Sequence, residues 1–532
     1  MSAQPQLVSV STLKSKAGRD SSQTLKEAAA NEYVFAVVGP AGSGTSWVAE
    51  ALRTLLTSGG FQADILKASS VIETWADKHG YAIDNSSKLK RAESLQDLGD
   101  RCRLESEDRA AVAIRLMQPM RKLRKENGQK QAYIIDSLKH PAETALLRQV
   151  YQDAFCQIGV VCSEDVRKER LRQSKCSDST MPQIENFMRR DENARDDHGQ
   201  KVTDTFHLSD FFIDNTPSRF VREGNTDVPN PKWDVADQLG RLVDILTHKS
   251  VVRPRPNETG MFHAHGSAMR SACLSRQVGA ALMDAAGNVV ATGTNEVPRA
   301  GGGVYAGGFR MDVLNDHEYD HRCAVAGGHC RNTEEQRKII QEIIDDIPEL
   351  KAIDDGVALQ AKLAKTRVGR LLEFSRAVHA EMDALLSAGR QGTSTVGTRM
   401  FVTTFPCHYC ARHIVAAGVD EVQFIEPYLK SKALSLHGDA ITTDAADWQP
   451  PSETVHNDAN GKGHPPPFVL FRPFTGVAPR LYKRAFLKDR SLKDSAGRME
   501  FGNSDASIRP ELLRFSYMDV ENQLIGNGGH DD

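Results

Sequence analysis

The sequence predicts two consecutive α/β domains, and three observations support this prediction. Apolar strands alternate with helical segments in the first half, a pattern typical of a doubly wound parallel sheet. A hairpin, helices and further apolar strands follow in the second half. Two prolines in Arg253–Asn257 separate the halves, because proline cannot continue a helix. We expect a flexible lead-in over 1–31, a first domain over 32–250, a linker over 251–260, a second domain over 261–485 with an insertion over 299–370, and a tail over 486–532.

Composition places the chain among ordinary soluble proteins. The 532 residues are 40% hydrophobic and 26% charged, with a net charge of −3. The sequence contains no run of about 18 apolar residues, so it predicts no membrane span. Nine cysteines, an odd number in a chain whose N-terminus lacks an apolar signal core, indicate reduced thiols and a cytoplasmic location. The near-neutral charge disfavours a dedicated nucleic-acid binder.

The first domain contains a glycine-rich loop between a strand and a helix. The strand Tyr33–Val38 leads directly into the loop, and a helix is predicted from Trp47 to Leu56. Strand, loop and helix are the context of a phosphate-binding P-loop, whose pattern is Gly-x-x-x-x-Gly-Lys-Ser/Thr. Threonine stands where that pattern has lysine. The candidate nucleotide-binding residues of the loop are Gly39, Gly42, Gly44, Thr45 and Ser46.

The missing lysine leaves three interpretations open. Backbone N–H groups and a helix N-terminus can hold ATP or another nucleotide without lysine. Phosphoryl transfer would lose its cation, so binding without turnover is the first interpretation. A loop that keeps only its fold, and an active kinase, are the others. Asp136 ends the apolar strand Ala132–Asp136 and is a candidate Mg²⁺ ligand. With further strands at Phe155–Cys162 and Phe211–Asn215, this part resembles a P-loop kinase-like domain.

The second domain carries two short motifs with metal-binding chemistry. One is Val378-His379-Ala380-Glu381; the other is Pro406-Cys407-His408-Tyr409-Cys410, which follows the strand Arg399–Thr404. A catalytic zinc takes three protein ligands and leaves one position open, and His379, Cys407 and Cys410 supply such a set. Cysteines three positions apart share one face of a helical turn, and Pro406 suits the first helical position. Gly389 is the predicted C′ residue of the helix that follows Glu381.

His-x-Glu followed by Pro-Cys-x-x-Cys is the signature of zinc-dependent nucleobase deaminases. Together with the helix, the hairpin and Gly293-Thr294-Asn295-Glu296, it resembles the cytidine and deoxycytidylate deaminase superfamily, in its dCMP-type branch. The kinase-like domain in front makes the whole chain similar to bacterial anti-phage dCTP deaminases.

This resemblance implies a cytidine-deaminase-like α/β/α domain with one catalytic zinc. It implies that His379, Cys407 and Cys410 hold zinc and that Glu381 carries protons between water and the cytosine ring. By the same resemblance Asn295 contacts the sugar, although a turn residue is the alternative. Arg276 is a candidate phosphate contact.

The insertion is rich in potential metal ligands. A second, structural metal is one interpretation, and a wall of the nucleotide pocket or a regulatory site is another. Residues Thr333–Leu363 read as one amphipathic helical region that covers the insertion or a subunit interface. The potential ligands are Asp316, His317, Asp320, His321, Cys323, His329 and Cys330.

The resemblance implies deamination of dCTP and dCMP, depletion of dCTP during phage infection, and a nucleotide-sensing first domain. A homo-oligomer is expected, and the basic clusters Arg121–Lys125 and Arg167–Arg172 permit a small inhibitory RNA. Deamination of RNA or single-stranded DNA is an alternative, disfavoured because it needs a basic groove and stacking aromatics, and only 6% of residues are aromatic. A nucleotide switch or kinase with an inactive deaminase domain is another alternative. The complete set of His379, Glu381, Cys407 and Cys410 argues against it.

Overall fold

The computed structural model describes residues 32–124, 130–174, 179–194, 196–224, 226–305, 320–325, 327–366, 368–371, 374–428, 431–453, 467–488 and 493–498. The chain forms two compact units. Unit 1 is Met1–Val252 together with Ala485–Asp532, and unit 2 is Arg253–Arg484.

Unit 1 is built on a parallel sheet, as predicted. Its strands are β1 (Glu32–Val38), β2 (Gln62–Lys67), β3 (Gln131–Asp136), β4 (Phe155–Val161) and β5 (Phe211–Asp214). They lie in the order β5-β4-β1-β3-β2, and every neighbouring pair is parallel. All residues of β1 and β4 are buried, as expected for a parallel sheet covered on both faces.

Helices connect these strands and contribute the walls around the carboxyl ends of β1 and β3. A short antiparallel hairpin of β6 (Phe220–Glu223) and β7 (Thr226–Pro229) precedes the last helix of this part of unit 1. The helices are α1 (Thr45–Ser58), α2 (Ala68–Lys78), α3 (Lys88–Glu105), α4 (Ala111–Leu123), α5 (Pro141–Tyr151), α6 (Glu164–Ser174), α7 (Met181–Glu192), α8 (Val202–Phe206) and α9 (Val235–Thr247).

Unit 2 contains a mixed sheet. The strands β8 (Gly279–Met283) and β9 (Val289–Thr294) form the predicted hairpin, and β10 (Arg399–Thr404) pairs with β8 in antiparallel fashion. The remaining pairs are parallel, in the order β9-β8-β10-β11-β13-β12. The other strands of this sheet are β11 (Glu421–Glu426), β12 (Ile441–Thr442) and β13 (Val469–Pro473), and the short strand β14 (Gly476–Val477) lies outside it.

The helices of unit 2 differ from the predicted ones at two prolines. The first, α10 (Pro256–Ala268), begins inside the segment predicted to be a linker, because Pro256 suits the first helical position and Glu258 accepts a hydrogen bond from Arg255 N (2.7 Å). The region predicted as one helix is divided at Pro348. The others are α11 (Arg331–Asp346), α12 (Pro348–Lys351), α13 (Gly356–Ala364), α14 (Ala380–Arg390), α15 (His408–Ala416), α16 (Ala433–Leu436) and α17 (Pro479–Phe486).

The two ends of unit 2 are bonded to each other. The carboxylate of Glu258, which is fully buried, also accepts a hydrogen bond from Val477 N (2.8 Å). Asn257 Nδ2 donates to Thr475 O (2.7 Å), and the rings of Phe262 and Tyr482 stack with centroids 4.2 Å apart. The first helix of the unit is therefore tied to its last strand and last helix.

Close packing of α14 on β9 depends on a glycine. A Cβ added to Gly293 would lie 2.2 Å from Ala380 O and 2.3 Å from Ala384 N, both backbone atoms of α14. Because backbone atoms cannot rotate away, we expect Gly293→Ala to lower the free energy of unfolding by about 1–3 kcal/mol. Chemical denaturation measures this change.

The control for this prediction is Gly389→Ala, in α14 itself, where an added Cβ meets nothing within 4 Å. Alanine is the better helix former, so this variant is expected to gain about 0.5–1 kcal/mol. Equal stabilities for the two variants would contradict the packing argument.

No helix in the described part of the chain is both long and apolar enough to cross a membrane.

Candidate active site

The first motif places His379 immediately before a helix. His379 is the N-cap of α14, with extended backbone (φ −72°, ψ 153°), and Glu381 lies in the first turn. The predicted position of the motif at a helix start is thus confirmed. The prediction for Gly389 is wrong: the residue lies inside α14, and the glycine with positive φ just beyond the helix is Gly392 (φ 70°).

The second motif also lies at the start of a helix, but the helix begins two residues later than predicted. Helix α15 begins at His408, and Cys407 is its N-cap, so Pro406 precedes the helix instead of occupying its first position. The extended backbone of Cys407 (φ −70°, ψ 165°) turns the chain from β10 into α15. Cys407 and Cys410 therefore flank the first helical turn, and both are buried.

The structure brings the three predicted zinc ligands together. His379 Nδ1 lies 3.3 Å from Cys407 Sγ and 3.4 Å from Cys410 Sγ, and all three donor atoms lie within 4.8 Å of one another. A tetrahedral zinc with ordinary bond lengths separates a nitrogen and a sulfur ligand by about 3.5 Å. One imidazole nitrogen and two sulfurs at these separations fit a zinc ion.

Zinc binds cysteine as thiolate and histidine as neutral imidazole, and Cys407 is the donor of this cluster that already has the required form at neutral pH. A hydrogen bond with Cys410 is the main cause that lowers the pKa of the Cys407 thiol to about 4. A hydrogen bond with Cys407 raises the pKa of His379 to about 9, so zinc binding at neutral pH would displace a proton from this imidazole. Cys407 is therefore a thiolate at neutral pH, and the thiolate is the form that binds zinc.

Glu381 is a buried carboxylate beside this cluster. Its side chain hydrogen-bonds with the Cys410 thiol, and only 4% of the residue is exposed. Burial raises the pKa of the Glu381 carboxyl above its usual value, because the charged form loses hydration. A carboxyl group of raised pKa can both accept and return a proton near neutral pH.

A cavity of about 310 Å³ opens at the cluster, and Glu381, His379 and Cys407 form part of its wall. Its volume is at the lower end of the range for small-molecule sites. The predicted substrate residues Asn295 and Arg276 line the same cavity.

Hydrogen bonds already engage both of these side chains. Asn295 Oδ1 accepts from Val278 N (2.7 Å), and its Nδ2 donates to Arg276 O (2.6 Å). A side-chain amide has two donors and two acceptor lone pairs, so Asn295 retains capacity for a ligand. The Arg276 guanidinium donates to Glu426 Oε1 (2.8 Å).

Three further polar residues of the cavity wall were missed by sequence reasoning. Glu296 is buried and accepts hydrogen bonds from Ala272 N (2.7 Å) and Val297 N (2.9 Å), which fixes the wall. Arg331 and Arg376 belong to the insertion and to the segment just after it, and they add positive charge to the cavity. Only the position of Arg376, three residues before His379, was a signal in the sequence.

In unit 1 the predicted phosphate-binding residues also meet. Ser46 Oγ donates to Asp136 Oδ2 (2.6 Å). Gly42 and Gly44 adopt positive φ (85° and 87°), which bends the loop ahead of α1. Gly39 and Thr45 line the same cavity as these residues.

The structure describes only part of the proposed second metal site. Asp320 is paired with Arg322 (2.9 Å), and Cys330 Sγ lies 3.8 Å from Ser275 Oγ. Among the described residues, three or more potential metal donors come close together at His379, Cys407 and Cys410. Asp316 and His317 lie outside those ranges, so the second metal stays a prediction.

Comparison with known proteins identifies the family. Residues 254–426 match the family described as "Cytidine and deoxycytidylate deaminase zinc-binding region". The chain is 31% identical over 164 residues to "Deoxycytidylate deaminase" of Enterobacteria phage T2, covering 30% of this chain and 75% of the phage protein. The phage T4 protein of the same name is 29% identical over 167 residues, covering 30% and 73%.

A further relative is the "UPF0200/UPF0201 protein" of Archaeoglobus fulgidus. It is 28% identical over 185 residues, which are 35% of this chain and about half (51%) of the archaeal protein. The zinc-binding region matched above contains His379, Glu381, Cys407 and Cys410, the residues that the structure assembles around one cavity. The chain therefore belongs to the cytidine and deoxycytidylate deaminase family.

Proposed function

We propose that unit 2 deaminates free deoxycytidine nucleotides, dCTP and dCMP, to the corresponding deoxyuridine nucleotides. The observation that carries this proposal is the buried carboxylate of Glu381 beside the His379, Cys407 and Cys410 donors, on the wall of a cavity of about 310 Å³. The names of the phage relatives support the same substrate class.

His379, Cys407 and Cys410 would hold the zinc, which supplies an activated water at neutral pH. Glu381 accepts a proton from the water and passes it to ring N3 of the cytosine as the C4–O bond forms. Glu381 then takes the second proton of the added water and passes it to the exocyclic nitrogen, the bond from C4 to that nitrogen breaks, and ammonia leaves. The raised pKa of Glu381 suits a group that must take up and release a proton in one cycle.

The arginines of the cavity wall select for a phosphorylated substrate. Arg276, Arg331 and Arg376 line the cavity, and guanidinium groups bind phosphate oxygens bidentately. Each of these groups already donates one hydrogen bond, to Glu426 (2.8 Å), Glu334 (3.0 Å) and His321 O (3.1 Å) respectively, and retains further N–H donors for phosphate. Asn295 supports this wall by bonding to the backbone of Arg276 and Val278, and it retains a donor and an acceptor for the sugar.

Loss of dCTP would starve the replication of a phage, and it would equally harm the cell. Control by unit 1 follows as part of the proposal, with ATP or another nucleotide on its glycine-rich loop. The contact of Ser46 with Asp136 supports a Mg²⁺ position there, and the absence of lysine at Thr45 favours sensing over phosphoryl transfer.

A deamination assay on the zinc-loaded full chain tests this function. We would supply dCMP, dCTP, CTP and a cytosine-containing oligonucleotide separately, each with and without ATP and dTTP, and measure ammonia and the uracil product. Conversion of dCMP or dCTP is expected. Conversion of the oligonucleotide alone, or of no substrate with any effector, would overturn the proposal.

A further inference from the structure

Unit 1 contains a cavity of about 660 Å³ that joins the glycine-rich loop to a chamber between helices. Helices α2, α3, α6 and α7 contribute its walls. Apolar side chains of Ile72, Leu95 and Phe187 line the chamber, while Ser46 and Asp136 lie at the loop end. The cavity thus has one polar end and one largely apolar end.

Two glutamines on the wall of this cavity have unpaired amide atoms. Gln96, on α3, is 5% exposed, and neither its Oε1 nor its Nε2 has a hydrogen-bond partner. Gln200 is also 5% exposed, and its Oε1 has none. Buried polar groups in folded proteins are nearly always paired, because an unpaired one forfeits its hydration without return. A ligand with one hydrogen-bond donor and one acceptor would pair both amide atoms of Gln96.

The loop end of the cavity is suited to phosphate. No side chain caps α1, and the first N–H groups of a helix have no partner within the helix. These groups and the helix dipole favour an anion. Lys139, also on the wall, is held by Asp191 (2.9 Å), whose other oxygen accepts from Ala41 N of the loop (2.8 Å).

We propose that this cavity binds a nucleotide with its phosphates on the loop and its base edge on Gln96. A side-chain amide presents one donor beside one acceptor, which is the complement of a nucleobase edge. Gln200 Oε1 accepts a further N–H of the base, and Ile72, Leu95 and Phe187 cover its faces. This inference rests on the proposed function, because it specifies how the regulatory unit recognises its nucleotide.

Calorimetric titration of the full chain tests the inference. The Glu381→Gln variant is the background, so that no nucleotide is turned over. The probes are ATP, GTP, dTTP, dCTP and tripolyphosphate, which has the phosphates without a base. We expect at least one nucleotide to bind more tightly than tripolyphosphate. Gln96→Leu should weaken that nucleotide roughly 10- to 100-fold and leave tripolyphosphate unchanged.

The same substitution has an opposite effect on the free chain. Gln96→Leu removes an unpaired buried amide, so the melting temperature without ligand should rise. If Gln96 had only a structural role, the same substitution would lower the melting temperature. Gln118→Leu, an exposed glutamine on α4, is the matched control and should change neither affinity. If Gln96→Leu does not fold, Gln96→Glu, which keeps the size but loses the donor, takes its place with the same expected loss.

The outcomes separate this inference from the proposed function. The inference is overturned if the nucleotide affinity is the same with and without the Gln96 amide. It is also overturned if no nucleotide binds more tightly than tripolyphosphate. Both results hold even if dCTP is deaminated. Binding that depends on Gln96 in a chain that deaminates no mononucleotide leaves the inference standing and overturns the proposed function.

Discussion

Glu381→Gln is expected to lower the kcat for dCMP and dCTP by roughly 10²- to 10⁴-fold, the usual contribution of a general acid–base. Glutamine has the same shape but cannot take up a proton. The carboxyl group it replaces is buried, and burial raises the pKa of that group, so a neutral amide can occupy the same position. We therefore expect the variant to fold and to keep its zinc. Product formation and metal content are measured on the same sample.

The control is Glu342→Gln, an exposed glutamate on α11, which should keep the wild-type kcat. A Glu381→Gln protein that holds zinc and turns over at the wild-type rate would remove Glu381 from the reaction. Loss of zinc in this variant would instead assign the carboxylate to the metal site.

Cys410→Ala is expected to reduce bound zinc from about one ion per chain to less than about a tenth of that, and deamination with it. The remaining donors, His379 Nδ1 and Cys407 Sγ, lie 3.3 Å apart and cannot complete a three-ligand site. Elemental analysis after dialysis measures the zinc content of each protein. After chelation, re-addition of zinc should restore the activity of the wild type but not that of the variant.

Cys162→Ser is the matched control for this experiment. Burial raises the pKa of the Cys162 thiol to about 11, so it is protonated and a poor zinc ligand at neutral pH. Its Sγ accepts from the Arg170 guanidinium (3.3 Å), a role that a serine hydroxyl can take over. Full zinc and full activity in Cys410→Ala would show that the cluster is not the catalytic metal site.

Local patterns carried most of what could be predicted. The strand before the glycine loop, the hairpin, and the motifs at His379 and Cys407 are each encoded within a few neighbouring residues. Helix starts were less certain. Pro256 was interpreted as a break when it begins a helix, and Pro406 as the start of a helix that begins two residues later at His408. Proline is compatible with both situations, and only the bonds around it decide.

Properties that arise from packing had no signal in the sequence. The burial of Gln96 and its lack of partners depend on helices far from it in the chain. The positive charge that Arg331 adds to the active-site cavity comes from the insertion, whose course no motif specifies. The role of Glu296 as a support for the wall required knowing that Ala272 lies beside it.

The hydrogen bond that Val477 N donates to Glu258 has a consequence for how such a protein can arise. Because residues near the beginning and the end of unit 2 are bonded to each other, the chain enters and leaves this unit at neighbouring positions. A module with adjoining ends can be transplanted into a surface turn of another protein without stretching either partner. Unit 2 could therefore move between proteins as one piece, with the residues of its active site kept together.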